Sequence, residues 1–373
     1  MGETSRHRAG VSWTPAVPAG HGRGVSFLII YGATGYVGRL VARLAVDRGL
    51  RPVLAGRDAN RLAALGLDAP VRTAALDQPR ALDRLLADAS VLLNAAGPFA
   101  LTQQPLLDAC VRTGTPYLDL SGEAAEFLTV WRRDAELTAA GVMAMPGVGF
   151  GVVPTDAVAV HLARRLPTAR RLELSFATVG RVSRGTLDTL TGGMADAGVQ
   201  RRDGRLVPTR AAVEHRWIGD GATRTRVVTN PWRADVVSAA RSTGVADVAT
   251  FFAAPAPIRL ALRAAPAAPW LVTSPAARRV RAALLARLPD GPTPAQLDAG
   301  RTLVHGLVRD DAGTVAEAVL TGPDAYRYSA HTAVELLART AAGDAPAGYR
   351  TPAEVHGPRI ALTTPGTTLR DLR

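Results

Sequence analysis

The stretch FLIIYGATGYVGRLVARLAVDRG, residues 27–49, decides the fold. Residues 25–31 are a short, near-continuous apolar run, the pattern of a strand buried on both faces of a parallel sheet. Gly32, Gly35 and Gly38 follow, and then a helical period with Val37, Leu40, Val41 and Leu44 on one apolar face. Strand, glycine turn and helix in that order point to a phosphate-binding loop rather than a purely structural turn. Gly32 permits the tight turn, Gly35 lets the backbone approach a pyrophosphate, and Gly38 lets the helix pack close to the strand. The helix N-terminus offers free N–H groups and a partial positive charge to the phosphates. The candidate phosphate contacts are Gly32, Thr34, Gly35, Tyr36, Val37 and Gly38.

The next segment, RPVLAGRD at residues 51–58, is expected to be the second strand. A dinucleotide fold that takes NAD places an acid near the end of this strand, and one that takes NADP places an arginine there for the 2′-phosphate. Arg57 lies 19 residues after Gly38 and is the first charged residue after the strand, which favours NADP(H). A solvated surface arginine is the bland alternative. Asp58 beside it fits an N-cap for a helix through Leu65.

Composition bounds the chemistry. The 373 residues are long enough for two domains or for one large α/β unit with an insertion. The net charge is +12, yet there is no lysine, so all 44 basic residues are arginines. They are spread along the chain without a block of like charge, which argues against a nucleic-acid footprint. Without lysine there is no lysine-linked Schiff base, no P-loop and no Tyr-x-x-x-Lys pair. Cys110 is the single cysteine, so no internal disulfide or cysteine-built metal site exists; a buried thiol is expected there. The histidines are scattered, and no metal site is expected. No apolar run reaches the length of a membrane span. Residues 1–24 are rich in Gly, Pro and Arg and are expected to be a disordered extension on a cytoplasmic protein.

The chain then alternates as a doubly wound sheet should. Residues 70–76 are a candidate third strand followed by Asp77, which would face the adenine or cap the next helix. SVLLNA, residues 90–95, is a fourth strand running into Asn94, Ala95, Ala96, Gly97 and Pro98. These small residues at the carboxyl end of a strand beside the first would lie against the nicotinamide ribose. Further expectations are a helix at 103–112, a strand at 116–120, a helix at 126–139 and a strand at 142–145.

The set GATGYVGRLVA, LAGRD, NAAGPFALTQQPLLDACVRTGTPYLDLSGE and MPGVGFGVVPTDAVA resembles the saccharopine dehydrogenase-like oxidoreductases, and most of all their trans-acting enoyl reductase branch. SRGT, RRDGRLV, ARSTGVADV and GYRTPAEVHG continue the likeness to residue 357. The resemblance implies a Rossmann domain at 25–155, an inserted α+β substrate domain at 156–325, and a segment at 326–373 that returns to the first domain. It also implies reduction of a C=C or C=N bond with NADP(H), on a small-molecule or carrier-bound substrate, and leaves a homodimer open.

In the second domain, strands are expected at 171–179, 216–228, 302–310 and 314–321, the last two as a hairpin around DDAG. Residues 253–294 fit surface helices with a proline-rich connection, or else a basic amphipathic surface for an anionic membrane or acidic carrier. Residues 325–339 fit a helix. Hydride transfer needs positioning, exclusion of water and a proton source. Asp119, Ser121 and Glu123 after the fifth strand are candidates to orient substrate or relay a proton, with helix capping as the alternative. Tyr328 and His331 are further candidate acids, and Arg181, Arg184 and Arg241 are candidate carboxylate clamps.

Overall fold

The computed structural model describes residues 27–192, 198–221, 224–267, 270 and 274–373. The extension expected over residues 1–24 lies outside them. The strands of the amino-terminal half are β1 (Phe27–Tyr31), β2 (Pro52–Gly56), β3 (Val71–Thr73), β4 (Ala89–Asn94), β5 (Tyr117–Asp119) and β6 (Met143–Met145). Then come β7 (Arg171–Val179), β8 (Gly198–Arg202), β9 (Arg205–Thr209), β10 (His215–Gly219), β11 (Arg224–Thr229) and β12 (Asp247–Ala253). The chain ends with β13 (Arg301–Arg309), β14 (Val315–Pro323), β15 (Gly348–Tyr349) and β16 (Thr368–Asp371).

The first sheet has the order β15-β6-β5-β4-β1-β2-β3, with every neighbouring pair parallel. Ile29, Ile30, Val53, Leu54, Leu92 and Leu93 are fully buried because helices cover both faces. The strand order reverses between β1 and β4, and ligands bind in the crevice beyond the carboxyl ends at such a point. Asn94 is the register partner of Tyr31 on one side and of Asp119 on the other. The ends of β1, β4 and β5 therefore sit side by side.

The second sheet has the order β10-β11-β12-β7-β13-β14-β16, with the β8–β9 hairpin attached to β12. It is mixed, with β7 and β12 parallel and the other pairs antiparallel. Helix Val153–Arg165 leaves β6 and packs on β13 and β14, which carries one hydrophobic core from the first sheet into the second. Gly306 of β13 allows this contact, since a Cβ there would lie 2.4 Å from Val158 Cγ1 and 2.7 Å from Leu162 Cδ1.

Three expectations need correction. The strand expected at 216–228 is two strands, β10 and β11, because Gly219-Asp220-Gly221 turns the chain, with Gly221 at φ +96°. The helix expected at 126–139 breaks into Ala124–Trp131 and Asp134–Ala139, where Arg133 folds back onto Glu136 and Asp108. The carboxyl-terminal segment divides: helix Ala325–Ala341 lies along helix Tyr36–Asp47 and β15 pairs β6, but β16 adds to the second sheet beside β14. Among the described residues no helix is long and apolar enough to cross a membrane.

Gly306→Ala is expected to destabilise the protein by about 1–3 kcal/mol through overpacking, read as a lower urea midpoint with an unchanged slope.

Candidate active site

The glycine loop is shaped by backbone contacts that exclude any side chain. Gly32 has φ +87°, donates from N to Ala55 O at 2.8 Å, and a Cβ on it would lie 2.6 Å from Ala96 N. The loop after β4 therefore closes directly onto the loop after β1. A Cβ on Gly38 would lie 2.2 Å from Gly32 O, so helix Tyr36–Asp47 rests on the turn itself. Gly35 is the exposed N-cap, with no side-chain cap and no acid in the first turn. The first-turn N–H groups, including those of Tyr36 and Val37, lack intrahelical partners by the geometry of a helix start. These residues fit a dinucleotide pyrophosphate, since the cradle is open where phosphates would lie and shut where a Cβ would intrude.

The Tyr36 side chain does something else. Its hydroxyl donates to Pro292 O at 2.7 Å and its ring meets Tyr326 edge-on at 5.3 Å. Burial pushes that hydroxyl up to about 12, with Asp324 and Tyr326 adding to the shift. Arg39 donates to Thr34 O at 2.8 Å and reaches Asp290 at 3.2 Å, and Arg184 holds the other Asp290 oxygen at 2.6 Å. A loop carrying Asp290 thus anchors the second domain to the glycine helix.

At the far end of the crevice, Arg57 stands exposed after β2 and forms no ion pair among the described residues. Asp58 accepts from Arg61 N at 3.0 Å and caps helix Ala59–Ala63. Asp77 is exposed after β3. Arg57 and Asp77 both act on the Tyr31 hydroxyl, which donates to Ala74 O at 2.9 Å and is raised mainly by burial. They therefore flank one patch, where the adenosine end of a dinucleotide would lie.

Between these ends lies a buried polar network. Asn94 donates through Nδ2 to Thr102 Oγ1 and to Tyr117 Oη, both at 3.1 Å, and its Oδ1 accepts from Ala96 N at 3.0 Å. Asn94 thus fixes the path of Ala95 and Ala96, while Gly97 and Pro98 beyond them are exposed to the crevice. Asp119 accepts five bonds: from Gln103 Nε2 and Tyr117 Oη at 2.9 Å each, Ser121 N at 2.9 Å, Ser121 Oγ at 2.6 Å and Gly147 N at 3.0 Å. Asp119 and Ser121 are fully buried. They clamp the loops after β5 and β6 together, so neither faces a substrate and neither caps the following helix.

Glu123 is different. It is the N-cap of helix Ala124–Trp131, bridges backbone to backbone with Arg233, and its Oε2 accepts from Gly122 N at 2.8 Å. Burial raises its carboxyl above the usual range, opposed by the Gly122 hydrogen bond and by the Arg233 charge. One turn on, Glu126 is pushed up to about 6 by burial and then by Glu123, and its Oε2 is buried without a partner among the described residues. Arg233 lies across this pair. It donates through Nε to the buried Asp235 Oδ2 at 2.7 Å and through Nη2 to Gly151 O, and its guanidinium stacks 4.7 Å over the Phe176 ring. Phe150 and Phe252 adjoin Phe176, which gives the second-sheet wall an aromatic lining.

The later candidates fall outside this crevice. Tyr328 is fully buried, donates to Ala361 O at 2.9 Å and is raised by burial, so it is a core residue and not a proton donor. His331 meets Arg48 Nη2 at 2.7 Å, at the end of helix Tyr36–Asp47 away from the glycine loop. Burial, with Arg48 and Arg327, lowers it to about 4, so it is neutral at pH 7. Arg241 pairs with Asp134 and Glu354, and Arg181 is exposed. Cys110 is buried, and burial raises its thiol. A concavity of about 600 Å³ beside Arg339, Asp344 and His356 includes no glycine-loop residue. Glu126, Gln103, Arg233 and Asp290 escape a sequence reading. Their partners lie elsewhere in the chain, and no spacing marks one arginine among 44 basic residues.

Asp119→Ala strands the Tyr117 hydroxyl, the Gln103 amide and two backbone N–H groups in the core. A loss of about 3 kcal/mol or more is expected in urea unfolding. Glu126 carries a raised carboxyl, so the native state binds its proton more tightly than the unfolded chain does. The stability it contributes is present below the unfolded value and is lost as pH rises to about 6. Glu126→Gln is therefore expected to raise Tm by about 2 °C above that pH and to leave it unchanged below about pH 4.

Residues 28–145 match the family model described as the saccharopine dehydrogenase NADP binding domain. A trans-acting enoyl reductase of Mycobacterium leprae (strain TN) is 37% identical over 161 residues, covering 39% of this chain and 38% of that protein. Another, from Mycobacterium ulcerans (strain Agy99), is 33% identical over 150 residues, covering 37% of this chain and 35% of that one. The aligned part thus spans little more than a third of the length of these relatives. Beyond the sequence matches, the apo, histidine-tagged saccharopine dehydrogenase (L-Glu forming) from Saccharomyces cerevisiae shares the fold with a TM-score of 0.61. It covers 94% of this chain and 100% of that one at 13% identity. The part of the chain that is similar to the saccharopine dehydrogenase NADP binding domain is therefore the part that carries the open glycine loop and the arginine after β2.

Proposed function

We propose that the chain is an NADP(H)-dependent oxidoreductase that reduces the C=C bond of an enoyl substrate, small or carrier-bound, in secondary or lipid metabolism. The observation that carries this is the pairing of two features across one crevice. An uncapped glycine-loop helix and a free Arg57 suit NADP(H), and across the ends of β4 and β5 the raised Glu123 carboxyl adjoins an aromatic wall. NADPH, when bound, supplies the hydride. The chain's own part is to hold the ring against Ala96 and Gly97, exclude water with Phe150 and Phe176, and deliver a proton through Glu123.

The lining favours an enoyl over an amino-acid-derived imine. An amino-acid substrate carries a carboxylate and calls for free arginines in the cleft. Arg184 is held by Asp290, Arg241 by Asp134 and Glu354, and Arg233 by Asp235. The wall left to receive a substrate is the half-buried Phe176 and Phe252, backed by the buried Phe150, which suits an uncharged acyl group. The names of the mycobacterial relatives agree with this choice.

Two measurements test the proposal. In fluorescence titrations NADPH is expected to bind at least tenfold more tightly than NADH, about 1.4 kcal/mol, and Arg57→Ala to erase the difference. Turnover with a trans-2-enoyl thioester, followed by NADPH absorbance, is expected to fall about 100-fold in Glu123→Gln with NADPH affinity unchanged. Equal turnover in that variant would assign the proton to solvent. NADPH binding without reduction of any enoyl thioester would leave a dinucleotide-binding scaffold.

A further inference from the structure

Residues 248–289 contain six arginines and no aspartate or glutamate. Within this acid-free segment, helix Pro275–Ala286 has no buried residue. Val280 and Leu284 share one stripe of this helix and are 59% and 57% exposed, and Leu288, two residues past its end, is 37% exposed. On an ordinary surface helix such a stripe would face the core. Here the inward side is taken by Arg281, which reaches Asp188 at 3.4 Å on helix Arg184–Gly192. Arg278, Arg279 and Arg287 are exposed and form no ion pair among the described residues. Helix Ala256–Ala264 repeats the composition: Leu262 is buried, but Ile258 and Leu260 are exposed, as is Trp270 beyond it.

Unpaired cations beside exposed Leu, Val and Trp side chains need a partner that supplies anions and apolar depth together. We propose that this face is a docking surface for a membrane leaflet bearing anionic lipids. The arginine heads meet phosphates at headgroup level, and the Val280–Leu284 stripe reaches past them into the acyl boundary. Charge argues against a second copy of this chain, which would bring its own Arg278, Arg279 and Arg287 to the same surface. The contact is peripheral and does not depend on the reaction proposed above.

The test is sedimentation of the full chain with vesicles of phosphatidylcholine alone, or of phosphatidylcholine mixed with phosphatidylglycerol. Binding is expected only to the mixed vesicles and is expected to weaken with salt. Any chain with a net charge of +12 has some affinity for an anionic surface, so the decisive variant keeps every charge. Val280→Ser/Leu284→Ser is expected to lower partitioning about tenfold while NADPH binding and circular dichroism stay unchanged. Should that variant fold poorly, Arg278→Gln/Arg279→Gln/Arg287→Gln tests the same face from its exposed cations, with an equal or larger loss expected. Equal partitioning of a folded variant and the wild type would overturn the proposal, as would no binding to anionic vesicles. A concentration-dependent dimer abolished by the serine variant would assign the face to self-association instead.

Discussion

The Asp119 carboxylate holds the site together. It has no exposure to solvent and accepts from Tyr117, Gln103, Ser121 and Gly147, which come from β5, the helix after β4, the loop after β5 and the loop after β6. A buried carboxylate is tolerated only when donors replace its lost water, and five bonds do that here. In return the carboxylate ties the loops after β5 and β6 and the helix after β4 to one point. Asn94 joins the network through Tyr117 and passes the order on to Ala96, whose backbone closes against Gly32. The first-domain side of the crevice is therefore braced by hydrogen bonds within the chain itself.

Two of the polar contacts between the second domain and this side lie along the crevice. At the glycine loop, Asp290 is shared by Arg39 and Arg184, and Tyr36 turns its ring away from the phosphate path to reach Tyr326 and Pro292. At the substrate end, Arg233 binds Asp235 and the Gly151 carbonyl and lies on Phe176. Each contact uses a cation already matched to an acid. That leaves the cleft between them with little free positive charge apart from the helix N-terminus, and an aromatic wall opposite Glu123. Such a division suits a cofactor recognised by its phosphates and a substrate recognised by its apolar surface.

How far the sequence could be read depended on distance along the chain. The loop GATGYVG and the strand LAGRD are local patterns, and each glycine there has a backbone reason that a few neighbouring residues supply. Asp119, Ser121 and Glu123 share one short segment and looked alike. Burial and hydrogen bonding separate them, with the first two in the core and Glu123 half-buried at the start of the next helix. The hairpin β8–β9 turns on Asp203 and Gly204, both at positive φ. That Asp-Gly signal is visible in RRDGRLV, a segment that also carries part of the family likeness. Tyr328 and His331 show the opposite error. A helix pattern says that one face is buried but not which residues lie on it, and these two turn towards Ala361 and Arg48.

The sequence by itself determined the doubly wound sheet, the phosphate loop and the arginine that follows the second strand. These rest on apolar period, glycine sterics and the order of neighbouring elements, all of which act within a few residues. Only the tertiary structure decided which acids stay wet, which arginines are already paired, and that Glu126 and Arg233 flank Glu123. Those properties are set by desolvation and by partners far along the chain, such as Arg233 for Glu123 and Asp290 for Arg39, which only the packed chain brings together.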